Sequence, residues 1–100
     1  MNINTQIDND TATIVLEGKL TVQSAPDLEA AIDDLQKDVK NVDIDLSSLD
    51  YISSAGLRVL VSAQKMLGAH DGTLRLLNPN DEVNDVFEMT GLSEVFNIVR

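Results

Sequence analysis

Apolar positions repeat with two different periods along this chain, and the switches between them predict its elements. Ile3, Thr5 and Ile7 alternate with Asn4 and Gln6, the two-residue period of a half-buried strand. Asn9-Asp10 reads as a tight turn. Ala12 to Glu17, centred on Ile14-Val15-Leu16, reads as a second strand ended by Gly18. The two runs are expected to pair as an antiparallel hairpin. Ser24 stands where a helix cap belongs, with Pro26 and Asp27 in the first turn. Leu28, Ala31, Ile32 and Leu35 then recur at helical spacing as one apolar stripe. Val42, Ile44 and Leu46 alternate with Asp43 and Asp45, which predicts a third strand ending at Asp45.

A polar loop is expected from Ser47 to Ser54, followed by a second helix starting at Ser53 or Ser54. Val59, Leu60, Ala63 and Leu67 make its buried stripe, and Gly68 is a natural stop. His70-Asp71-Gly72 is a turn; Leu74, Leu76 and Leu77 mark a fourth strand, closed by Asn78-Pro79. Asn80 or Asp81 caps a third helix with Val83, Val86 and Phe87 inward, ended by Gly91. Val95-Phe96-Asn97-Ile98-Val99 is a short final strand or a packed tail. Strands alternating with helices imply right-handed crossovers and a parallel sheet. The expected fold class is therefore α/β: one domain over residues 1–100, a mixed, mostly parallel sheet with an N-terminal hairpin and about three helices. In such sheets the functional loops lie beyond the carboxyl ends of the strands, where Ser47–Ser54 falls.

Composition narrows the chemistry. Seventeen acids against seven bases give a net charge of −10. Phosphate backbones and anionic membrane faces would be repelled, so neither nucleic acid nor membrane is expected as a partner. A basic protein partner would be steered in. There is no cysteine, hence no disulfide and no thiolate metal site. No basic leader and no apolar run of bilayer length is visible, so a cytoplasmic location is expected. His70 is the only histidine and sits in a turn, so no Ser-His-Asp relay can be assembled around it. No metal-ligand spacing, glycine-rich phosphate loop or acid–base carboxylate pair is legible, and no metal or cofactor is expected. Asp33, Asp34 and Asp38 read as a solvated face.

What remains is the serine at the start of the second helix. Serine is favoured there simply as an N-cap, so capping alone accounts for Ser53. A helix N-terminus also favours an anion, and phosphorylation would supply roughly −1.5 to −2 charges. The surrounding segment goes further. Asp45-Leu46-Ser47, then Ile52, then Ser53-Ser54-Ala55-Gly56-Leu57 resembles the central signature of the STAS domain family, in particular the free-standing bacterial anti-sigma factor antagonists. Leu16-Glu17-Gly18-Lys19-Leu20 and Met89-Thr90-Gly91-Leu92 extend the resemblance over nearly the whole chain.

The resemblance implies a non-enzymatic protein that binds an anti-sigma factor, often a GHKL-type serine kinase, and so frees a sigma factor. Phosphorylation by that kinase ends the binding, and a separate phosphatase restores it. By motif position the phosphate acceptor is Ser54, with Ser53 as the alternative. The implied partner-contacting set is Thr21, Ser47, Asp50, Tyr51, Ser53, Ser54, Ala55, Gly56 and Arg58. Three positions depart from the family pattern. Ser53 stands where Asp is usual, Ala55 where Ser or Thr is usual, and Thr21 where an acidic residue is common. These departures leave open a constitutive antagonist, or phosphate at Ser53. The competing expectation is a STAS subunit bound to a transporter ATPase, without phosphoswitching. A nucleotide-hydrolysing domain, the third class, lacks its phosphate loop.

Overall fold

The computed structural model describes residues 1–35 and 38–100. Its elements run β1 (Asn2–Asp8), β2 (Thr11–Leu20), α1 (Ala25–Asp33), β3 (Asn41–Ile52), α2 (Ser54–Ala69), β4 (Thr73–Leu77), α3 (Asp81–Met89), a single 3-10 turn at Leu92–Glu94, and β5 (Asn97–Val99). The expected hairpin forms. Asn9 takes a φ of +57°, a conformation asparagine tolerates, so that Asp8 and Thr11 face each other across the turn. β1 and β2 are antiparallel; every other neighbouring pair is parallel, in the order β1-β2-β3-β4-β5. Each crossover steps the same way across the sheet, and right-handed connections then place the helices on one face.

Burial agrees with that arrangement. Ala12, Ile14 and Leu16 of β2, Val42, Ile44 and Leu46 of β3, and Leu74 and Leu76 of β4 are buried beneath Leu28, Ile32, Leu60, Leu67, Val83 and Phe87. The other face is open and polar. One register row across all five strands reads Gln6, Thr13, Asp43, Arg75, Asn97. Within it the Arg75 guanidinium donates twice to Asp43, Nε to Oδ1 at 2.8 Å and Nη2 to Oδ2 at 2.6 Å. These hydrogen bonds, and then the charge of Asp43, hold Arg75 above its ordinary pKa. The fork lets a carboxylate sit mid-sheet without being stranded as an unpaired buried charge.

Several expected boundaries move. Gly18 does not end β2; it adopts a φ of +109° and the strand continues to Leu20. β3 does not end at Asp45 but runs to Ile52, so the expected Ser47–Ser54 loop is mostly strand. α2 passes Gly68 and is capped by His70. The tail resolves as a strand, β5, parallel to β4. Leu92 and Phe96 lead into it, with the Phe96 ring edge-on to Phe87 at 5.6 Å.

Two glycines in the same stretch behave oppositely. A Cβ on Gly72 would lie 2.2 Å from the Lys40 carbonyl oxygen, whereas one on Gly68 meets nothing within 4 Å. Gly72→Ala therefore forces backbone apart and is expected to lower unfolding free energy by about 3 kcal/mol or more. Gly68→Ala is expected to raise it by about 0.5–1 kcal/mol through helix propensity. Urea denaturation of both variants checks the pair; a neutral Gly72→Ala would refute the close approach of the β4 entry to Lys40.

Candidate functional site

The serine end is built by a mismatch between two parallel strands. From Val15 to Leu20 β2 takes five steps, while β3 takes seven from Asp45 to Ile52, with register shifts at Val15/Glu17 and Gly18/Lys19. Two residues of β3 are therefore extra, one at each bulge. At the first, the Ser47 amide donates to Asp45 Oδ1 at 3.0 Å, so the strand supplies its own partner for an amide the ladder leaves out. At the second, Gly18 supplies the positive φ.

The bulges change the period of burial. Val42, Ile44 and Leu46 are buried at spacing two, then Leu49 and Ile52 at spacing three. Ser47 with Ser48, and Asp50 with Tyr51, are turned outward as exposed pairs. β4 stops opposite Asp45, at Leu77, so this half of β3 has β2 on only one side. On the other side Asn80, the N-cap of α3, donates from Nδ2 to the Leu49 carbonyl at 3.1 Å and accepts from the Val83 amide at 2.8 Å. One side chain thus caps a helix and ties it to the bulged strand.

Ser53 follows at once. Its amide donates to the Leu20 carbonyl at 2.8 Å, closing the sheet, and its Oγ accepts from the Gly56 amide at 3.3 Å, capping α2. Its hydroxyl is half-buried and engaged. Ser54 is the first helical residue and is exposed. Its amide and that of Ala55 precede the first intrahelical bond, from Leu57 N to Ser53 O, and lie in the positive end of a sixteen-residue helix. Gly56 is buried: a Cβ there would sit 2.6 Å from Leu20 Cγ and 2.7 Å from its Cδ2. Its place is under the helix, where it lets the first turn lie against the end of β2.

The structure therefore places Ser47, Asp50 and Tyr51 on the surface of the last half of β3, and Ser54 and Arg58 on the surface of the first turns of α2. Arg58 is four residues beyond Ser54, on the same helix face. Ala55 is half-buried, and Gly56 does not reach the surface. Thr21 is half-buried within its own turn, where its Oγ1 accepts from the Gln23 amide at 3.2 Å. Ser24 caps α1 by position only; its Oγ donates to the Lys19 carbonyl and accepts from the Thr21 amide, locking that turn beneath Ser53. Val22, in the same turn, is 71% exposed, and Tyr51 50%. Sequence reasoning missed Val22 and the second bond of Asn80. The signal for Val22, an apolar residue between a strand end and a helix cap, was present.

His70 caps the far end of α2, about 24 Å from Ser54 by helix rise. Among the described residues no group of three His, Cys, Asp or Glu side chains is placed to hold a metal, and no helix is long and apolar enough to cross a membrane.

Together these features define a two-layer α/β domain that presents an exposed serine at a helix start, beyond the carboxyl ends of parallel strands. The chain belongs to the STAS domain family, whose model matches residues 2–100. It is 27% identical over 99 residues to an anti-sigma-B factor antagonist of Staphylococcus aureus, spanning 98% of this chain and 92% of that protein. The fold superimposes on an anti-sigma factor antagonist from Mycobacterium paratuberculosis with a TM-score of 0.86 at 23% identity, over 98% of this chain and 84% of that one. It also matches the Bacillus cell fate determinant SpoIIAA in its phosphorylated form, with a TM-score of 0.78 at 22% identity over 99% and 92% of the two chains.

Asn80→Ala removes both the cap and the tie to Leu49 and is expected to cost about 1–2 kcal/mol. Asn80→Ser keeps a cap acceptor for Val83 and loses the donor to Leu49, so about half of that loss is recovered. Equal urea midpoints for the two variants would refute this division.

Proposed function

We propose that this chain is an anti-sigma factor antagonist that acts by binding rather than by catalysis. It binds an anti-sigma factor, releases the sigma factor held there, and is switched off by phosphorylation of Ser54. The observation that carries the reading is the contrast between two neighbouring hydroxyls. Ser54 is exposed at the first position of α2, while Ser53 is half-buried and bonded to the Gly56 amide. The names of its relatives supply the class of partner. The proposed partner is a GHKL-type serine kinase, with a separate phosphatase to reset the switch, in the cytoplasm.

The substitution of Ser53 for the family's usual Asp bears on this. Ser and Asp are comparable N-caps, so the helix start is preserved. What is lost is one negative charge beside Ser54, which weakens recognition by a kinase that reads that charge and lowers repulsion of the incoming phosphate. A phosphate on Ser54 is tolerated by its own chain. The helix N-terminus favours it by about 0.3–1 kcal/mol at an exposed site, and Arg58 lies one turn away. The partner, docked over the same spot, meets roughly two new negative charges and their solvation shell. The switch therefore acts on binding and leaves folding in place.

The test starts from affinity capture with the native partner and its identification by mass spectrometry; an ABC-type ATPase instead of an anti-sigma factor assigns the chain to the transporter reading. Ser54→Asp is expected to keep the thermal midpoint of the parent and to weaken binding at least about tenfold, or 1.4 kcal/mol. Ser54→Ala binds normally and takes no phosphate. Phosphorylation that persists in Ser54→Ala moves the acceptor to Ser53. Undiminished binding by Ser54→Asp refutes the switch and leaves the binding role.

A further inference from the structure

β1 is an edge strand that carries no lysine or proline in its seven residues, and its only charge is the terminal Asp8. Sheet edges of that kind usually carry protection, because their free amides and carbonyls accept another strand. The helical layer also stops short of it. Ile3, Thr5 and Ile7 share the face that looks toward α1, yet only Ile3 is half-buried, and Ile7 is 52% exposed. Between them and α1 lies an open groove of about 540 Å³, floored by Met1, Ile3 and Ile7 and walled by Ala30, Ala31 and Leu35. Among the described residues an unpaired edge and an uncovered apolar floor thus coincide. The charged side chains on its wall, again among the described residues, are both acidic, Asp27 and Asp34, and both are exposed.

We propose that this edge receives an extended segment of a basic protein partner, added to the sheet as a sixth strand, a role beyond the antagonist reading at Ser54. Main-chain bonds to β1 would hold it, and alternate side chains would enter the groove. The acids set its pattern. Asp27, in the first turn of α1, and Asp34, its C-cap, are seven residues apart, about 10.5 Å along the axis. Residues i and i+4 of a strand are about 13 Å apart and project to the same side. A lysine or arginine at each of those positions reaches one carboxylate, while an apolar residue at i+2 covers Ile3 and Ile7. Long basic side chains suit this use, because their stems lie along apolar surface while the charge stays in water. A second copy of the chain is disfavoured by the same charges, since it would bring its own Asp27 and Asp34 against these, on a molecule already at −10.

The probe is a labelled, end-capped seven-residue peptide with lysine at its second and sixth positions, isoleucine at the fourth and threonine elsewhere. Fluorescence anisotropy is expected to show saturable binding that weakens at least about fivefold as salt is raised from about 0.05 to 0.3 M. Backbone amide shifts on titration should fall in β1 and α1. Replacing both lysines by glutamate, or using Asp27→Lys/Asp34→Lys protein, should each weaken binding at least about tenfold. Ile7→Lys should do the same, and its exposure makes it safe for folding, which circular dichroism verifies. Ser54→Asp should leave peptide affinity unchanged, so this result is separable from the switch. No binding at millimolar peptide, shifts centred elsewhere, or indifference to charge reversal overturns the proposal. Sedimentation showing a dimer of the chain that Ile7→Lys dissolves also overturns it, by making a second copy the occupant.

Discussion

The pairing of β2 with β3 is out of step by two residues, and the position of each side chain at the serine end follows from that mismatch. Without the two bulges, strict alternation from Leu46 would carry Leu49 to the open face and bring Ser48 and Asp50 into the core. With them, the apolar set stays inward at a spacing of three and the polar pairs stay out. The cost is an irregular ladder, and the structure offsets it locally. Asp45 takes the amide of Ser47, Gly18 takes the unusual φ, and Asn80 takes the Leu49 carbonyl that no fourth strand reaches. These residues serve the strand first, and the surface exists because they do.

The start of α2 rests on that platform. The Ser53 amide completes the β2–β3 ladder at Leu20, and its hydroxyl completes the helix, so strand and helix meet with one residue between them. Gly56 sets the helix down on Leu20 with no room for a methyl group. Such a junction is rigid, and rigidity is what a phosphoserine switch of the proposed kind requires. A phosphate on a loose loop could turn away from the partner at little energetic cost. On the first residue of a helix whose N-cap is anchored through both hydroxyl and amide, it stays where the proposed partner would dock.

Charge has two different roles in the molecule. On the open sheet face Asp43 and Arg75 are paired through two hydrogen bonds and neutralise each other. Around α1 the acids Asp27, Glu29, Asp33 and Asp34 are exposed, and charge placed there acts mainly on approaching molecules.

The elements themselves were legible in the chain. Period two at Ile3–Ile7 and Val42–Leu46, and period 3.6 at Leu28–Leu35 and Val59–Leu67, follow from burying one face of a strand or helix, which local sequence encodes directly. The α/β class and the hairpin were read correctly from those patterns, and the helix starts left open at Ser53 or Ser54 and at Asn80 or Asp81 resolve with Ser53 and Asn80 as the caps. The stretch from Ser47 to Ile52 was not, and it looked like a loop. Its apolar residues fall at Leu49 and Ile52, a spacing that fits neither period, because the bulges that produce it exist only against β2. Asp45 could not be recognised as a partner for a bulged amide, nor Gly18 as the hinge of a continuing strand, before the two strands were laid side by side. Which edge stays open was likewise undecided. The sequence determines that β1 is a strand; only the order of the sheet and the reach of α1 decide that nothing on this chain's described residues covers it.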